Sequence, residues 1–322
     1  MRPALLFIHG IGGPRDPEKE CGSWLAALAV GARRAGHASV ASALEHGGWA
    51  DAAFAHYGDL FARPHAQGES AFRIGAGEDE ELRHLLEEMI HLQLLVCPNE
   101  DERRVLQHAR AELTSARQAQ GSGDLVRRLV NVCTTLLALP GLQRGGQWVS
   151  GRIMAGHLAQ VTRYLSRAEP DGDGRTLDER VRERVLALLG KDRSTVVVAH
   201  SLGTVVALEA LYRHCGPVPL LVTLGSPIGM RTVVHSRLRP QPPATPDCVG
   251  RWLNYWDRDD IIAPRPLLER DILPNAHGGL PESDRVDSDG IWVHTATKYL
   301  AQPGVAGPVV EAVRLAAEEP SA

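Results

Sequence analysis

This sequence predicts an α/β fold, a mostly parallel sheet flanked by helices, and three stretches carry that expectation. Ala4-Leu5-Leu6-Phe7-Ile8, Ser194-Thr195-Val196-Val197-Val198 and Pro219-Leu220-Leu221-Val222-Thr223-Leu224 are short, continuous apolar runs, the second of them strongly β-branched. Runs of this kind mark strands buried on both faces, as in a parallel sheet. Each leads into a glycine-bearing turn: His9-Gly10-Ile11-Gly12-Gly13-Pro14, Ser201-Leu202-Gly203 and Gly225-Ser226-Pro227. A chain of 322 residues has room for one large α/β domain with an insertion, or for two ordinary domains.

Taken in order, the strand at 4–8 is followed by a polar excursion over 14–22. A helix is expected from Ser23, with Trp24, Leu25, Leu28 and Ala32 on one face and Gly36 as its stop. Residues 38–44 read as a second strand, at the distance a right-handed βαβ unit requires. From about 45 to 190 the strand pattern gives way to helical periodicity. Residues 78–97 carry Leu82, Leu85, Leu86, Met89 and Ile90 at helical spacing, with Pro98 as terminator. Asn99 is placed to cap the next helix, with Glu102 at the capping-box position. Residues 118–124 read as a loop, 125–139 as an apolar helix closed by Pro140-Gly141, and 148–168 as an amphipathic helix using Val149, Ile153, His157, Val161 and Tyr164. Thr176 and Glu179 form a second capping box before a helix that stops at Gly190. The expected organisation is a core from 1–44 and 191–322, with 45–190 inserted as a helical cap. The cap's apolar faces would pack on one another as a bundle, and 125–139 is in addition a candidate lid whose apolar face would line a pocket. Beyond 224, residues 251–256 alternate like a strand, 270–273 read as a last short strand, a loop carries His277, Asp284, Asp287 and Asp289, and a small helix is expected over 308–317.

Composition removes several classes of function. A net charge of −4 leaves no basic excess to draw nucleic acid or an anionic membrane surface. Cys21, Cys97, Cys133, Cys215 and Cys248 are scattered and odd in number, so they read as reduced thiols rather than a disulfide or zinc framework. No window approaches the ~20 apolar residues of a membrane span. The first apolar run is too short for a secretory signal, which makes the cytoplasm the expected location. The glycine loop after the first strand lacks the Gly-x-Gly-x-x-Gly spacing of a dinucleotide site. His46, His56, His65, His84, His91, His108 and His157 show no metal-ligand spacing and read as solvated or packed residues. No metal and no cofactor is expected.

The stretch 194–207 carries the chemistry. Ala199 and Gly203 flank Ser201 at the small-x-Ser-x-small spacing of a nucleophile elbow, which forces the serine outward above the first turn of a helix. A serine hydroxyl needs a base within hydrogen-bond reach and an acid to orient that base. Reactive groups in a parallel sheet gather at the carboxyl ends of the strands. Asp257, Asp259 and Asp260 follow one such strand, and any of the three could serve as the acid. For the base, His294 is preferred over His277, because 295–300 can open a helix behind His294 whereas His277 sits in a Gly-rich turn. His9 and His200 read as loop and elbow packing residues.

With the elbow, the His9-Gly10 loop, Gly225-Ser226-Pro227, Asp260-Ile261-Ile262-Ala263 and His294 ahead of Tyr299 in one order, the chain resembles the α/β-hydrolases of the lipase and esterase type. The resemblance covers the strands and chain ends but not the helical insertion. It implies Ser201 as nucleophile, His294 as base and acid, Asp260 as the orienting acid, and the N–H groups of Ile11 and Leu202 as an oxyanion hole. The implied activity is cleavage of a small acyl ester through an acyl-enzyme. A thioesterase, amidase or acyltransferase would use the same residues, and transient lipid contact would run through the cap. The scaffold also serves non-catalytic binding modules, which need no such complete set of residues. Two features depart from the family pattern: the first elbow position is Ala199 instead of glycine, and no strands precede the one leading to His9-Gly10.

Overall fold

The computed structural model describes residues 3–45, 50–62, 77–117, 119, 121–139, 142, 148, 150–288 and 293–318. Among the residues singled out above, His46, His65, Pro140, Gly141, Val149 and Asp289 lie outside that set. Six strands form one sheet: β1 (Ala4–Ile8), β2 (Asp51–Ala55), β3 (Thr195–His200), β4 (Val218–Leu224), β5 (Val249–Asp257) and β6 (Pro281–Val286). Their order is β2-β1-β3-β4-β5-β6, and every neighbouring pair runs parallel. β2 lies on one side of β1 and all later strands lie on the other. The strand order therefore reverses between β1 and β3, the kind of switch point at which open parallel sheets bind ligands.

Side chains alternate between the two faces with the strand period of two. Leu5, Phe7, Val196, Val198, Leu220 and Val222 pack on one face with Trp24 and Leu28 of α1 (Pro17–Arg34) and with Val309 and Val313 of α10 (Pro303–Glu318). Leu6, Ile8, Val197, Ala199, Leu221 and Trp252 pack on the other face with α8 (Leu202–Leu211) and the inserted helices. Those helices are α3 (Glu78–Val96), α4 (Glu100–Ala116), α5 (Ser122–Leu136), α6 (Gly151–Ser166) and α7 (Leu177–Leu186). Their apolar faces and the sheet face belong to one contiguous core. Leu125, Leu129, Val132, Cys133 and Leu136 of α5 are all buried in it, so the apolar face of the candidate lid packs within the bundle, against α4 and α6.

The helix signals hold where caps are strong. Asn99 Oδ1 accepts from the N–H groups of Asp101 and Glu102, and Thr176 with Glu179 forms a complete capping box. Elsewhere the structure differs. Helix α1 begins at Pro17 rather than Ser23, because Asp16 accepts from the N–H groups of Glu18 and Lys19 and Pro17 suits a first helical position. Residues 38–44 are not a strand but belong to α2 (Ala38–Glu45). Alanine and leucine favour a helix there, and Ala41 and Leu44 face inward one turn apart. The second strand of the sheet is instead β2, inside the stretch expected to be wholly helical; its sequence, Asp-Ala-Ala-Phe-Ala, carries no β-branched residue.

At the far edge, 270–273 hold the end of a short 3-10 turn and one isolated bridge from Leu273 to Ala244. The last strand is β6, read above as loop because its charged side chains are those of an exposed sheet edge. Helix α10 extends from Pro303, well before 308. Pro308 inside it offers no N–H to the carbonyl of Gly304, which accepts the Tyr255 hydroxyl at 2.7 Å instead. No helix among the described residues is long and apolar enough to cross a membrane.

A buried ionic network ties the insertion to the elbow helix. Glu209 of α8 accepts from Arg167 Nη2 at 2.5 Å, Arg182 Nη1 at 3.1 Å, the Tyr164 hydroxyl at 2.7 Å and the N–H of Arg239 at 2.9 Å. Asp178 accepts from the same two arginines at 2.8 and 2.6 Å. Removing one member of such a set strands the others in a poorly solvated site. Glu209→Ala is expected to lower the free energy of unfolding by about 3–5 kcal/mol, measured by urea denaturation; a loss below 1 kcal/mol, the scale of a surface pair, would mean that water already reaches these charges.

Candidate active site

β3 ends at His200 and α8 begins at Leu202, so Ser201 alone makes the turn from strand to helix. Its backbone is held at φ 54° and ψ −129°, a conformation that costs a non-glycine residue about 1–3 kcal/mol. Neighbouring groups fix it there. The Ser201 N–H donates to the Leu224 carbonyl at 3.0 Å, and its own carbonyl accepts from the N–H and hydroxyl of Thr204 at 2.9 and 2.7 Å. The space is set by two glycines. A Cβ at Gly203 would lie 2.3 Å from the carbonyl oxygen of His9, and one at Gly10 would lie 2.5 Å from Ser201 Cβ. The first turn of α8, the serine and the loop after β1 thus meet at the switch point of the sheet, with Ile11 and Leu202 both buried beside the serine's neighbours.

His294 and Asp260 approach from the other side. Asp260 stands three residues beyond β5 and His294 two residues before α9 (Ala296–Leu300). The His294 Nδ1–H donates to Asp260 Oδ2 at 2.8 Å, and its Nε2 accepts from the Ser201 hydroxyl at 3.0 Å. Asp260 Oδ2 also accepts from the Tyr299 hydroxyl at 2.8 Å, while Oδ1 accepts from the N–H of Ile262 at 3.0 Å. Burial and the adjacent carboxyl push the Tyr299 phenol well above its ordinary range, so it stays a donor. Gly225, at φ 54°, makes room for this pair: a Cβ there would sit 2.6 Å from Asp260 Oδ2 and 3.2 Å from His294 Nδ1. Ser201, Asp260 and His294 are 1%, 1% and 3% exposed.

The other candidates are placed elsewhere. Asp257 Oδ2 accepts from the N–H and hydroxyl of Ser288, both at 2.6 Å, and its Oδ1 from the N–H of Asp259. Asp259 pairs with Arg258 in a partly exposed position. His277 is exposed in the turn before β6, at the amino-terminal edge of the sheet and opposite to Ser201. His9 Nδ1–H donates to the Gly10 carbonyl at 2.6 Å, and its Nε2 accepts from the N–H of Tyr57. Burial, with the charge of Arg15 added, holds His9 down to about 3. His200 lies with its ring 4.6 Å from that of His294. Burial, then the neighbouring His294, push it well below the ordinary imidazole range.

Sequence reasoning missed the contributions of the insertion. Gln160 of α6 clamps the glycine loop, accepting from the N–H of Gly12 at 2.8 Å and donating to its carbonyl at 3.3 Å. Trp148 stacks on His294, ring centroids 5.7 Å apart and planes 16° from parallel. Its indole N–H donates to His157 Nδ1 at 3.2 Å. Burial and then Arg15 lower His157 to about 4, which keeps the ring neutral and so able to accept. His157 was read only as part of an amphipathic face. Nothing local in the sequence signals contacts that span more than a hundred residues; only Tyr299, five residues beyond His294 on a short helix, stood at a position that drew notice.

No protein-family model, no curated protein and no solved structure matches this chain. The geometry alone therefore carries the functional reading.

Because His9 is buried neutral, acid is expected to unfold the protein partly through it. Below about 6.5 the unfolded chain takes up a proton that the folded chain refuses until about 3. Stability due to this group is intact above 6.5 and falls as the pH drops toward 3, by up to about 1.4 kcal/mol per pH unit. Urea denaturation between about pH 6.5 and 4 is expected to show a shallower loss for His9→Asn than for the parent chain; equal slopes would show that His9 is protonated in the folded state.

Proposed function

We propose that this protein is a serine hydrolase of the α/β-hydrolase type that cleaves a carboxylic ester through an acyl-enzyme. The single observation that carries the reading is the continuous set of contacts from Ser201 Oγ to His294 Nε2 and from His294 Nδ1 to Asp260. The strand order and the place of the serine at the sheet's switch point support it.

In this mechanism the Ser201 oxygen attacks the ester carbonyl carbon as its proton passes to His294 Nε2, and the carbonyl oxygen becomes an oxyanion. The N–H groups of Leu202, in the first turn of α8, and of Ile11, in the glycine loop, would receive that charge. The tetrahedral intermediate then breaks its bond to the alcohol oxygen, which takes the proton from His294. Water, deprotonated by the same imidazole, attacks the acyl carbon, and the imidazolium then returns that proton to Ser201 Oγ as its bond to the acyl carbon breaks and the acid leaves. Asp260 keeps the imidazole in its Nδ1–H form throughout. Thioesters, amides or transfer to another acceptor would use the same steps. An acyl chain presented by a lipid phase would meet Leu95 and Val96, exposed at the end of α3.

The near-complete burial of Ser201 and His294 favours one second reading, a scaffold that holds a ligand without turning it over. A fluorophosphonate probe separates the two. The hydrolase reading expects covalent labelling that Ser201→Ala abolishes and that Asp260→Asn slows by about 10⁴, the scale of loss when such an acid becomes an amide. Labelling that survives in Ser201→Ala would remove the serine from the mechanism, and a parent chain that never labels would favour the binding reading.

A further inference from the structure

We propose that Trp148 is a positioning residue for the hydrolase reaction above: its indole face stabilises the cationic form of His294, and the hydrogen bond to His157 holds the indole in place. The proposal rests on that reading for its catalytic meaning but not for its physical content.

The base must carry a positive charge in the transition states on both sides of the acyl-enzyme. Among the described residues, these groups face His294. Asp260 lies at Nδ1, and Ser201 at Nε2. Tyr299 donates to the same carboxyl oxygen that Nδ1 does. His200 lies with its ring 4.6 Å away, tilted by 38°, and is kept neutral by burial, so it adds no repulsive charge. Trp148 lies parallel to the imidazole at 5.7 Å. The face of an indole is electron-rich and attracts a cation within about 6 Å of its centre, most strongly where water is excluded. Trp148 is itself buried, at 4% exposure.

A stacked indole needs its N–H satisfied when buried. His157 supplies the acceptor, and it can do so only while neutral. Among the described residues, His157 is met by Trp148 and, by its charge, by Arg15 from the loop after β1; burial and that charge keep the ring neutral, and the indole N–H takes Nδ1 as its acceptor. The insertion therefore reaches the proton path twice, through Gln160 on the glycine loop and through this pair of rings on the base.

The test compares Trp148→Phe, which keeps an aromatic face, with Trp148→Leu, which keeps apolar cover but removes it. A second pair is His157→Gln, which can still accept, and His157→Leu, which cannot. The rate of Ser201 labelling by a small fluorophosphonate is followed against pH on the full chain, with thermal unfolding as a control for folding. Trp148→Leu is expected to lower the labelling rate about 2- to 30-fold and to move the midpoint of the acid limb to lower pH, because the imidazolium loses a stabilising neighbour. His157→Gln is expected to stay near the parent, whereas Trp148→Phe and His157→Leu, which both lose the bond between residues 148 and 157, are expected to lie between the parent and Trp148→Leu. An acid limb that is unmoved or rises in Trp148→Leu overturns the proposal, since the ring would then act only by excluding water.

Titration of the His294 ring by NMR in the same variants, assigned with His294→Gln, reads the same shift without any reaction. If the parent chain does not label but His294 titrates at lower pH in Trp148→Leu, the stacking role stands and the hydrolase reading fails. If labelling behaves as expected and the ring titration is unchanged, the hydrolase reading stands and the stacking role fails.

Discussion

Everything at the site depends on one strained residue held between two strands. Ser201 sits at a positive φ because β3 stops and α8 starts within a single residue. It stays there because the end of β4 binds its N–H and the loop after β1 leaves no other space. The parallel register supplies this constraint: Ile8 lies beside Ala199, and Ala199 beside Thr223, so β1, β3 and β4 end nearly level. Gly10 and Gly203 are the points where backbones come too close for any side chain, and the cost of the turn is met by the packing of the central sheet around it.

The rest of this hydrogen-bonded set comes from the opposite half of the sheet. The turn after β5 contributes Asp260 and the segment leading into α9 contributes His294, while Tyr299 of α9 binds both the Asp260 carboxyl and the N–H of Asp257. Asp260 thus has three donors around it, and its orientation is fixed before anything binds. Gly225 is the common clearance: it follows the strand whose last carbonyl holds Ser201, and its missing side chain is the room the Asp–His pair occupies. Two halves of a chain separated by the elbow helix therefore share one small volume, and the insertion closes it from above.

The sequence was legible where the signal is local. Continuous apolar runs marked β1, β3 and β4, caps at Asn99 and Thr176 marked helix starts, and the small-x-Ser-x-small spacing marked the turn. Residues after a parallel strand share one edge, which made Asp257, Asp259 and Asp260 all candidates; only the family resemblance singled out Asp260, and the structure brings Asp260 and His294 together with Ser201. Edge elements were not legible. β2 has three alanines among its five residues and β6 has four polar residues in a row between Pro281 and Val286, so each strand is defined by its neighbour's hydrogen bonds rather than by its own pattern. Trp148, His157 and Gln160 were hidden for a different reason: their partners at the site lie on other elements, and helical periodicity reports a buried face without reporting what lies against it.

The proton on His294 Nδ1 is the most direct witness to this arrangement. In a nitrogen-15 spectrum of the histidine rings near neutral pH, Nδ1 of His294 should carry the proton and Nε2 should not, with the proton shifted far downfield by the Asp260 carboxyl and lost from that position in Asp260→Asn. A His294 ring protonated on Nε2 instead, or one indifferent to Asp260→Asn, would contradict the path from serine to carboxyl on which the account stands.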